Sequence, residues 1–596
     1  MAITWANILE WETGKLEEIA NELLEASQGL RKAYEKGEDD LKAVQSEGEA
    51  VTAMRATTIS NLASLERALT NVNGALMAIE GARDGVATVM SNINTLQAYA
   101  STNNCTILND GSVVGEGSRT QRGGKSPARL NIEQGIKDVI EQADQVDTDL
   151  YHALQDINND SYTDGDWAEN KVIGVPDLPQ PNWSPSQVAA WWNSLPDDRK
   201  QFFTDHCPDT VRHLDGLPAA ARDRANRFAL EGYVDANGKE QPGALADAKE
   251  AVKDAQKEYD DARKHLSAYE PRSGHMNSEE RVAREKLERA KVAYEDLKTI
   301  QKQIANADRM NKGLAPAYLL DFNYDEKYQR TTAIVSAGNP DTATHVSTLV
   351  PGIGTNVRGD LDYYMDRLRE QTKHAGVDPN NVAAISYLGY VAPKNQGFDK
   401  VQAADIGYAN RAAPKLAQFE EGLRASANAN NHKFTNTLLA HSYGSTTSGK
   451  SMTLVAPGTV DRFVMCGSPG AGADTIDAYN VSREHVYVSS IPTSDAVQDL
   501  NTFTPSGFGS DPRYLDGITH LSGDVTDSEN YVPPRVPPID DNPLIHQAYR
   551  FVHALDHHMA YFDENTRTSQ DFANIVAGGN PTTDEEWAAI KAARGK

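Results

Sequence analysis

The sequence predicts an α/β domain over residues 314–596, preceded by regions built from helices alone. Two observations indicate this division. In the first half of the chain, apolar residues recur at alternating steps of three and four, which places them on one face of a helix. In the second half, short apolar runs bounded by glycine and proline alternate with helical stretches. This alternation is typical of a mostly parallel sheet flanked by helices.

Length and charge limit the classes of function. The chain has 596 residues and a formal net charge of −27. Its length exceeds what a single core supports, so several packed regions are expected. A nucleic-acid partner is not expected, because binding to phosphates requires clustered Lys and Arg. From the absence of a long apolar run, and of a basic start followed by an apolar stretch, we expect no integral membrane segment and no Sec signal peptide. We therefore expect a soluble protein that is cytoplasmic or exported by another route.

Two apolar seams predict a helical hairpin in residues 1–160. Each seam lies on one helix face, so the two helices would bury these faces against each other or against a helical protein partner. Residues 101–128 are rich in Gly, Ser, Asn and Thr and predict a loop, and a further helix is expected over residues 129–158. The seams consist of Leu16, Ile19, Leu23, Ala26, Leu30 and Ala33, and of Leu62, Leu65, Leu69, Val72, Leu76 and Ile79.

Three further regions precede the α/β domain. Residues 161–184 are rich in Pro, Asp and Asn and predict a linker. Residues 185–240 predict a small helical module in which Trp191 and Trp192 pack internally. Residues 241–313 carry a heptad pattern on two helices separated by the helix-breaking segment Pro271-Arg272-Ser273-Gly274, which predicts an antiparallel coiled-coil hairpin. We interpret this hairpin as a spacer or a partner-docking arm.

In the C-terminal region, short apolar runs are the candidate strands, and longer segments of helical character join them. The candidate strands are residues 331–336, 346–350, 382–387, 435–439, 462–466 and 486–490. The helix-like segments include residues 361–374 and 403–425.

A catalytic nucleophile is expected directly after the candidate strand at residues 435–439. The segment Ala440-His441-Ser442-Tyr443-Gly444 surrounds a serine with small residues, as a sharp strand-to-helix turn requires. Ala440 stands where the usual pattern has glycine. Such a serine attacks acyl groups when a base takes its proton and an acid orients the base. The pattern therefore predicts that Ser442 belongs to a Ser-His-Asp triad.

Candidates for the acid and the base follow Ser442 in the chain. Asp495 lies on the loop after the strand at residues 486–490, where the acid of such a triad belongs, and Asp499 is the alternative. Either residue could instead serve as a helix N-cap. Several C-terminal histidines could be the base. The pair His557-His558 precedes a predicted final helix, and we favour His558, then His557.

The oxyanion of an acyl-transfer intermediate requires two backbone N–H donors. We expect one at Tyr443, directly after the nucleophile, and the other at Ile353 or Gly354 in a glycine-rich loop. An ordinary glycine turn is the alternative for that loop. No metal or cofactor is expected. The three cysteines, Cys105, Cys207 and Cys466, are too scattered for a zinc site or a disulfide framework.

Several segments, in one order over about residues 315–575, resemble a family of α/β-hydrolases common in actinobacteria and catalogued as a domain of unknown function. The resemblance implies an α/β-hydrolase fold and favours His558 over His557. Ala440 and Met559 depart from the family's usual glycine and serine. The segments are Gly338-Asn339-Pro340-Asp341-Thr342-Ala343, Val350-Pro351-Gly352-Ile353-Gly354-Thr355, Leu388-Gly389-Tyr390, His441-Ser442-Tyr443-Gly444-Ser445, Gly467-Ser468-Pro469-Gly470 and His558-Met559-Ala560-Tyr561.

The N-terminal hairpin, with Tyr34 and Glu38 in a Tyr-x-x-x-Glu pattern, is similar to the helical hairpins of type VII secretion substrates. Two interpretations follow. The leading one is a serine hydrolase of the esterase or lipase type, which cleaves a carboxylic ester or a related acyl bond in a small substrate through an acyl-enzyme. The alternative is a secreted or scaffold interaction protein, linked to type VII secretion, whose helical arms carry the function.

Overall fold

The computed structural model of the protein describes most of the chain, in several segments. These are residues 3–44, 48–115, 126–158, 179, 183–267, 278–305, 315–393, 406–491, 495–499, 507–526 and 558–594. No helix within these segments is both long and apolar enough to cross a membrane.

The N-terminal region is a bundle of long helices. Its helices are α1 (Trp5–Ile8), α2 (Gly14–Ala43), α3 (Glu49–Thr102) and α4 (Pro127–Asn158). Helix α3 packs against both α2 and α4. It buries Leu62, Leu69, Leu76 and Ile79 of its predicted seam, which confirms a helical N-terminal region. The predicted seam of α2 is buried less completely, since Ile19, Ala26 and Ala33 are exposed.

The predicted loop between α3 and α4 contains two short strands instead of irregular chain alone. Strands β1 (Cys105–Ile107) and β2 (Val113–Gly115) pair in an antiparallel hairpin. Cys105 and Val113 are buried in one apolar cluster with Trp5 of α1 and Ile132 of α4. The hairpin therefore closes one end of the bundle.

A group of short elements follows the bundle. Trp191 and Trp192 are buried and pack with Phe203, and the same apolar cluster includes Leu76 and Met77 of α3. This group therefore shares a core with the N-terminal bundle. Its elements are α5 (Pro185–Ser194), α6 (Asp197–His206), α7 (Pro208–Val211), α8 (Ala219–Glu231), β3 (Tyr233–Val234) and β4 (Glu240–Gln241).

Helices α9 (Gly243–Ser267) and α10 (Ser278–Ile304) pack side by side. They run antiparallel, since Lys286 of α10 pairs with Glu258 of α9 and Glu280 pairs with Arg263. The predicted breaker at residues 271–274 lies outside the described residues. The C-terminal end of α10 reaches the sheet, where Ile300 and Ile304 are buried with residues of its first strands.

In the part of the chain that the structure describes, eight strands of the C-terminal region form one sheet in the order β12-β11-β10-β9-β7-β8-β6-β5. Strands β7 to β12 are parallel, whereas β5 and β6 pair antiparallel at one edge. All the candidate strands are present, and β5 and β12 were not predicted. The strands are β5 (Ala317–Asp325), β6 (Arg330–Ala337), β7 (His345–Val350), β8 (Val382–Leu388), β9 (Thr435–His441), β10 (Arg462–Cys466), β11 (Val486–Ser489) and β12 (Thr519–His520).

Helices cover both faces of the sheet, as the predicted α/β class requires. On one face, α11 and α14 bury Tyr364 and Phe572. On the other face, α12 and α13 bury Leu416 and Met452. These helices are α11 (Val357–His374), α12 (Gly407–Ala429), α13 (Tyr443–Met452) and α14 (Arg567–Val576), and α15 (Asp584–Ala593) follows.

The order of the strands reverses beside β7. Helix α11 leads from β7 to β8 across one face, and α12 returns from β8 to β9 across the other, so β7 lies between β8 and β9. The chain segments that leave the carboxyl ends of β7 and β9 therefore diverge and leave a crevice. In open α/β sheets, such a crevice is where ligands bind.

Candidate active site

Ser442 occupies the turn between β9 and α13 at this crevice. Its φ of 57° and ψ of −132° form a backbone conformation that costs a residue other than glycine about 1–3 kcal/mol. Two glycines allow the surrounding backbone to approach. A Cβ atom on Gly352 would lie 2.4 Å from Ser442 Cβ, and one on Gly444 would lie 2.2 Å from the Val350 carbonyl oxygen. The loop after β7 therefore packs directly against Ser442.

The side chains of His558 and Asp495 meet in a buried contact. The Nδ1 atom of His558 lies 2.9 Å and 3.0 Å from the two carboxylate oxygens of Asp495. Asp495 follows β11, and His558 directly precedes the short 3-10 helix Ala560–Phe562. Both residues are buried, and the Nε2 atom of His558 has no hydrogen-bond partner among the described residues.

Asp495 is held in its charged form. Burial by itself would raise the pKa of this carboxyl, but the charge of His558 and hydrogen bonds from His558 and Tyr561 hold the pKa below its ordinary value. The Tyr561 hydroxyl donates to Asp495 Oδ2 at 2.9 Å, and the Val497 backbone N–H donates to Oδ1 at 3.0 Å. A carboxylate fixed by three donors can orient an imidazole without rotating.

Gly467, directly after β10, packs closely against Asp495 and His558. Its φ is 56°, and a Cβ atom added there would lie 2.9 Å from Asp495 Oδ2 and 2.9 Å from His558 Cε1. It would also lie 3.0 Å from Tyr561 Cε2. The position therefore requires glycine for its backbone conformation and for space. The sequence analysis quoted Gly467 within a family segment but assigned it no role.

A second histidine, His441, packs against His558. The His441 ring packs against the His558 ring at a centroid distance of 4.5 Å, with the two planes tilted by 34°. Burial and the nearby charge of His558 lower the pKa of His441 to about 3, so this ring is neutral. Its Nε2 atom lies 2.7 Å from the backbone carbonyl oxygen of His558, to which a neutral ring donates through an Nε2–H group. His441 thus anchors the backbone that carries His558, a role that its place in the elbow pattern did not reveal.

The expected oxyanion donors lie beside Ser442. Tyr443 is the first residue of α13 and directly follows Ser442. The Gly354 N–H already donates to the Pro393 carbonyl oxygen at 2.8 Å, which leaves Ile353 as the second candidate. The Tyr390 hydroxyl donates to the Pro351 carbonyl oxygen at 2.5 Å and fixes the same loop.

Apolar side chains surround these donors. The buried side chains of Ala409, Tyr443 and Phe508 form one cluster, and Ile353 packs against it. Such a cluster suits the carbon chain of an acyl group. Among the described residues, no group of three or more His, Cys, Asp or Glu side chains is arranged to hold a metal ion.

The remaining predicted residues are described only in part or not at all. Asp499 ends the short 3-10 helix Ala496–Asp499, and its side chain lies outside the described atoms. His557 lies outside the described residues. The structure thus brings Asp495 and His558 together and places the loop of Ile353 against Ser442, while the roles of these residues stay predictions.

Comparison with known proteins agrees with the fold. Residues 326–505 match a protein family described as alpha/beta hydrolase. The uncharacterized proteins MT2140 and Rv2079 of Mycobacterium tuberculosis, from strains CDC 1551 and H37Rv, are each 26% identical over 320 residues. The alignment covers 53% of the chain and 44% of these relatives, so the chain spans less than half of their length. No solved structure matches the chain. The C-terminal region therefore contains an α/β-hydrolase domain.

Proposed function

We propose that the protein is a serine hydrolase that cleaves a carboxylic ester or a related acyl bond through an acyl-enzyme. Ser442 is the nucleophile, His558 is the base and Asp495 orients the base. The backbone N–H groups of Tyr443 and Ile353 bind the oxyanion. The observation that carries the proposal is the buried contact of His558 Nδ1 with Asp495, at 2.9 Å and 3.0 Å, in the crevice beside the strained Ser442 turn.

The ionisation of Asp495 supports these roles. Because the pKa of Asp495 is held low, its carboxylate accepts a hydrogen bond from an Nδ1–H group of His558, which fixes the proton of the catalytic imidazole on Nδ1. This tautomer leaves the lone pair on Nε2, which is the atom without a partner among the described residues. An imidazole in this state can take the proton of a serine hydroxyl.

The reaction then runs in two halves. Ser442 Oγ forms a bond to the acyl carbon while its proton moves to His558 Nε2, and the carbonyl oxygen becomes an oxyanion held by Tyr443 and Ile353. The intermediate collapses, and the alcohol leaves with the proton from Nε2. In the second half, water attacks the acyl-enzyme while His558 again acts as the base. This step releases the acid product and regenerates free Ser442.

Labelling by a fluorophosphonate probe tests the proposal on the full chain. The wild type should be labelled and should hydrolyse para-nitrophenyl butyrate, and Ser442→Ala should do neither. Ser448→Ala is the matched control. This serine lies on α13, and its buried hydroxyl has no hydrogen-bond partner among the described residues, so its loss should leave labelling intact. Equal labelling of Ser442→Ala and the wild type would overturn the assignment.

We propose as a second function that the N-terminal bundle binds a helical partner and is exported by a type VII system. The observation behind it is that Met54 and Ile59 of α3 are 43% and 57% exposed and so available for contact. The test compares culture supernatants of strains with and without an intact type VII system. The same amount of protein in both supernatants would exclude this export route.

A further inference from the structure

The loop after β7, residues 351–355, leads directly into helix α11, and we call it the oxyanion loop. Only three residues separate Ile353, the expected second donor, from Val357, the first residue of α11. The N-cap residue Asn356 connects loop and helix, since its Nδ2 atom donates to the Gly354 carbonyl oxygen at 3.3 Å. A shift in the first turn of α11 is therefore passed on to the loop that carries the donor.

Asp296 of helix α10 binds the N-terminus of α11. It is 2% exposed, and its Oδ1 atom accepts the backbone N–H of Arg358 at 3.0 Å and the Arg358 guanidinium at 3.3 Å. The first N–H groups of a helix have no partner within it. The Asn356 side chain accepts the N–H of Gly359 at 3.1 Å, whereas the N–H of Arg358 is bound by an acceptor from a different helix.

Apolar contacts hold the same junction. Val357 is 1% exposed and belongs to one apolar cluster with Leu297 and Ile300 of α10. Ile300 lies one turn after Asp296 on the same side of α10. The polar and the apolar contacts thus act together on the first turn of α11.

The oxyanion loop is consequently fixed at both ends. Tyr390 holds its start through the carbonyl oxygen of Pro351 at 2.5 Å, and Asp296 holds the helix into which it leads. Ile353 lies between these two anchors. An oxyanion donor needs such anchors, because a catalytic group must be held within about 0.5 Å of its productive position.

We infer that Asp296 is a positioning residue for the oxyanion loop. The inference rests on the proposed hydrolase function. Asp296 acts through the first turn of α11 and not by contact with the substrate. The hairpin of α9 and α10 would then be more than a spacer or a docking arm, since it supplies one of the two anchors of the loop.

A thiono ester measures the oxyanion contact separately from the amount of folded enzyme. In O-para-nitrophenyl thionobutyrate, sulfur replaces the carbonyl oxygen of para-nitrophenyl butyrate, and sulfur is a weak hydrogen-bond acceptor. Well-placed N–H donors therefore favour the oxygen ester. The quantity measured on the full-length protein is kcat/KM for the oxygen ester divided by kcat/KM for the thiono ester. A loss of folded protein lowers both values equally and leaves this ratio unchanged.

Asp296→Ala should lower the ratio by between about ten-fold and about a hundred-fold. Loss of an oxyanion donor costs about 10²- to 10³-fold in kcat, and displacement of a donor costs part of this. Asp296→Asn keeps an oxygen that can accept the Arg358 N–H, so its ratio should stay close to the wild-type value. A ratio in Asp296→Asn as low as in Asp296→Ala would overturn the role of this hydrogen bond.

Leu287→Ala is the control for a general weakening of α10. Leu287 is 3% exposed and lies nine residues before Asp296 on the same helix. A cavity at this place should lower the stability of the protein and leave the ratio at the wild-type value. An equal fall in Leu287→Ala and Asp296→Ala would overturn the inference, because any weakening of α10 would then disturb the loop.

Failure of the inference and failure of the proposed function give different results. If the wild type hydrolyses the oxygen ester and Asp296→Ala keeps the wild-type ratio, the inference is overturned and the hydrolase proposal stands. If the wild type hydrolyses neither ester and is not labelled by the fluorophosphonate probe, both fail. If Asp296→Ala does not fold, Asp296→Glu takes its place, because it displaces the carboxyl group by one methylene. The same fall is expected there, and a wild-type ratio would overturn the inference.

Discussion

Substitution of Gly467 tests the site geometry, because the effects of an added side chain on stability and on catalysis can be measured separately. Substitution by alanine places a residue with a Cβ at a φ of 56°, which costs about 1–2 kcal/mol for a residue other than glycine. The added Cβ would also meet Asp495 Oδ2 and His558 Cε1, each at 2.9 Å. Real Cβ contacts are longer than this, so the pair must shift.

The shift should appear in catalysis more than in stability. A displacement of about 1 Å in a catalytic group lowers the rate by about a hundred-fold, and a few tenths of an ångström should lower it by about ten-fold. We therefore expect Gly467→Ala to reduce kcat for para-nitrophenyl butyrate by between about ten-fold and a hundred-fold. Urea denaturation should give a loss of about 1–2 kcal/mol in the free energy of unfolding.

Gly376→Ala is the matched control. Gly376 has a φ of 69°, but an added Cβ there meets no atom within 4 Å, so this variant changes the backbone without a clash. It should lose a similar free energy of unfolding and keep the wild-type kcat. Full activity in Gly467→Ala would refute the close packing of Gly467 against His558. An equal loss of kcat in Gly376→Ala would show that the loss in Gly467→Ala results from lower stability and not from the clash with His558.

Two further predictions address ionisation. Asp495→Asn should lower kcat on the order of 10⁴-fold, because an amide that donates to His558 Nδ1 selects the tautomer with a proton on Nε2; a loss below about ten-fold would contradict the orienting role. Burial raises the pKa of Glu420 from 4.5 to about 7, so its contribution to stability is fully present below about pH 4.5 and is lost as the pH rises towards 7. The difference in unfolding free energy between the wild type and Glu420→Gln, measured by urea denaturation, should therefore change by about 1.4 kcal/mol per pH unit in this window. A difference that does not depend on pH would refute the raised pKa of Glu420.

The central strands could be predicted because they are buried on both faces. Every residue of β8 is buried, and its sequence is an apolar run interrupted only by Ser386. Strand β5 has no such signature, since Asp321, Asn323 and Asp325 interrupt it. Its polar side chains are compatible with a strand because β5 lies at the edge of the sheet. Strand β12 has only two residues, which is too short for any periodic pattern.

The predictions for the candidate site depend on the position of each residue beside a predicted element. Ser442 and Asp495 each come just after a buried strand. His558 is favoured over His557 by its place before a predicted final helix and by the family resemblance. The contacts of Gly467 and Tyr561 with Asp495 join segments that are far apart in the chain. A single sequence does not show which distant segments lie close together in space. The roles of Gly467 and Tyr561 therefore could not be predicted beyond their membership of the family pattern.

The contacts along β5 explain why the helical regions and the hydrolase domain share one structure. An edge strand exposes unpaired backbone groups that invite association with other chains. Helix α8 satisfies these groups: Arg222 donates to the Leu320 carbonyl oxygen at 2.8 Å, and Arg227 donates to that of Ala317 at 2.8 Å. Asp223 accepts the Leu319 N–H at 2.7 Å. Since α8 packs in turn on the cluster of Trp191, the helical module protects the edge of the hydrolase sheet and does more than link it to the N-terminal bundle.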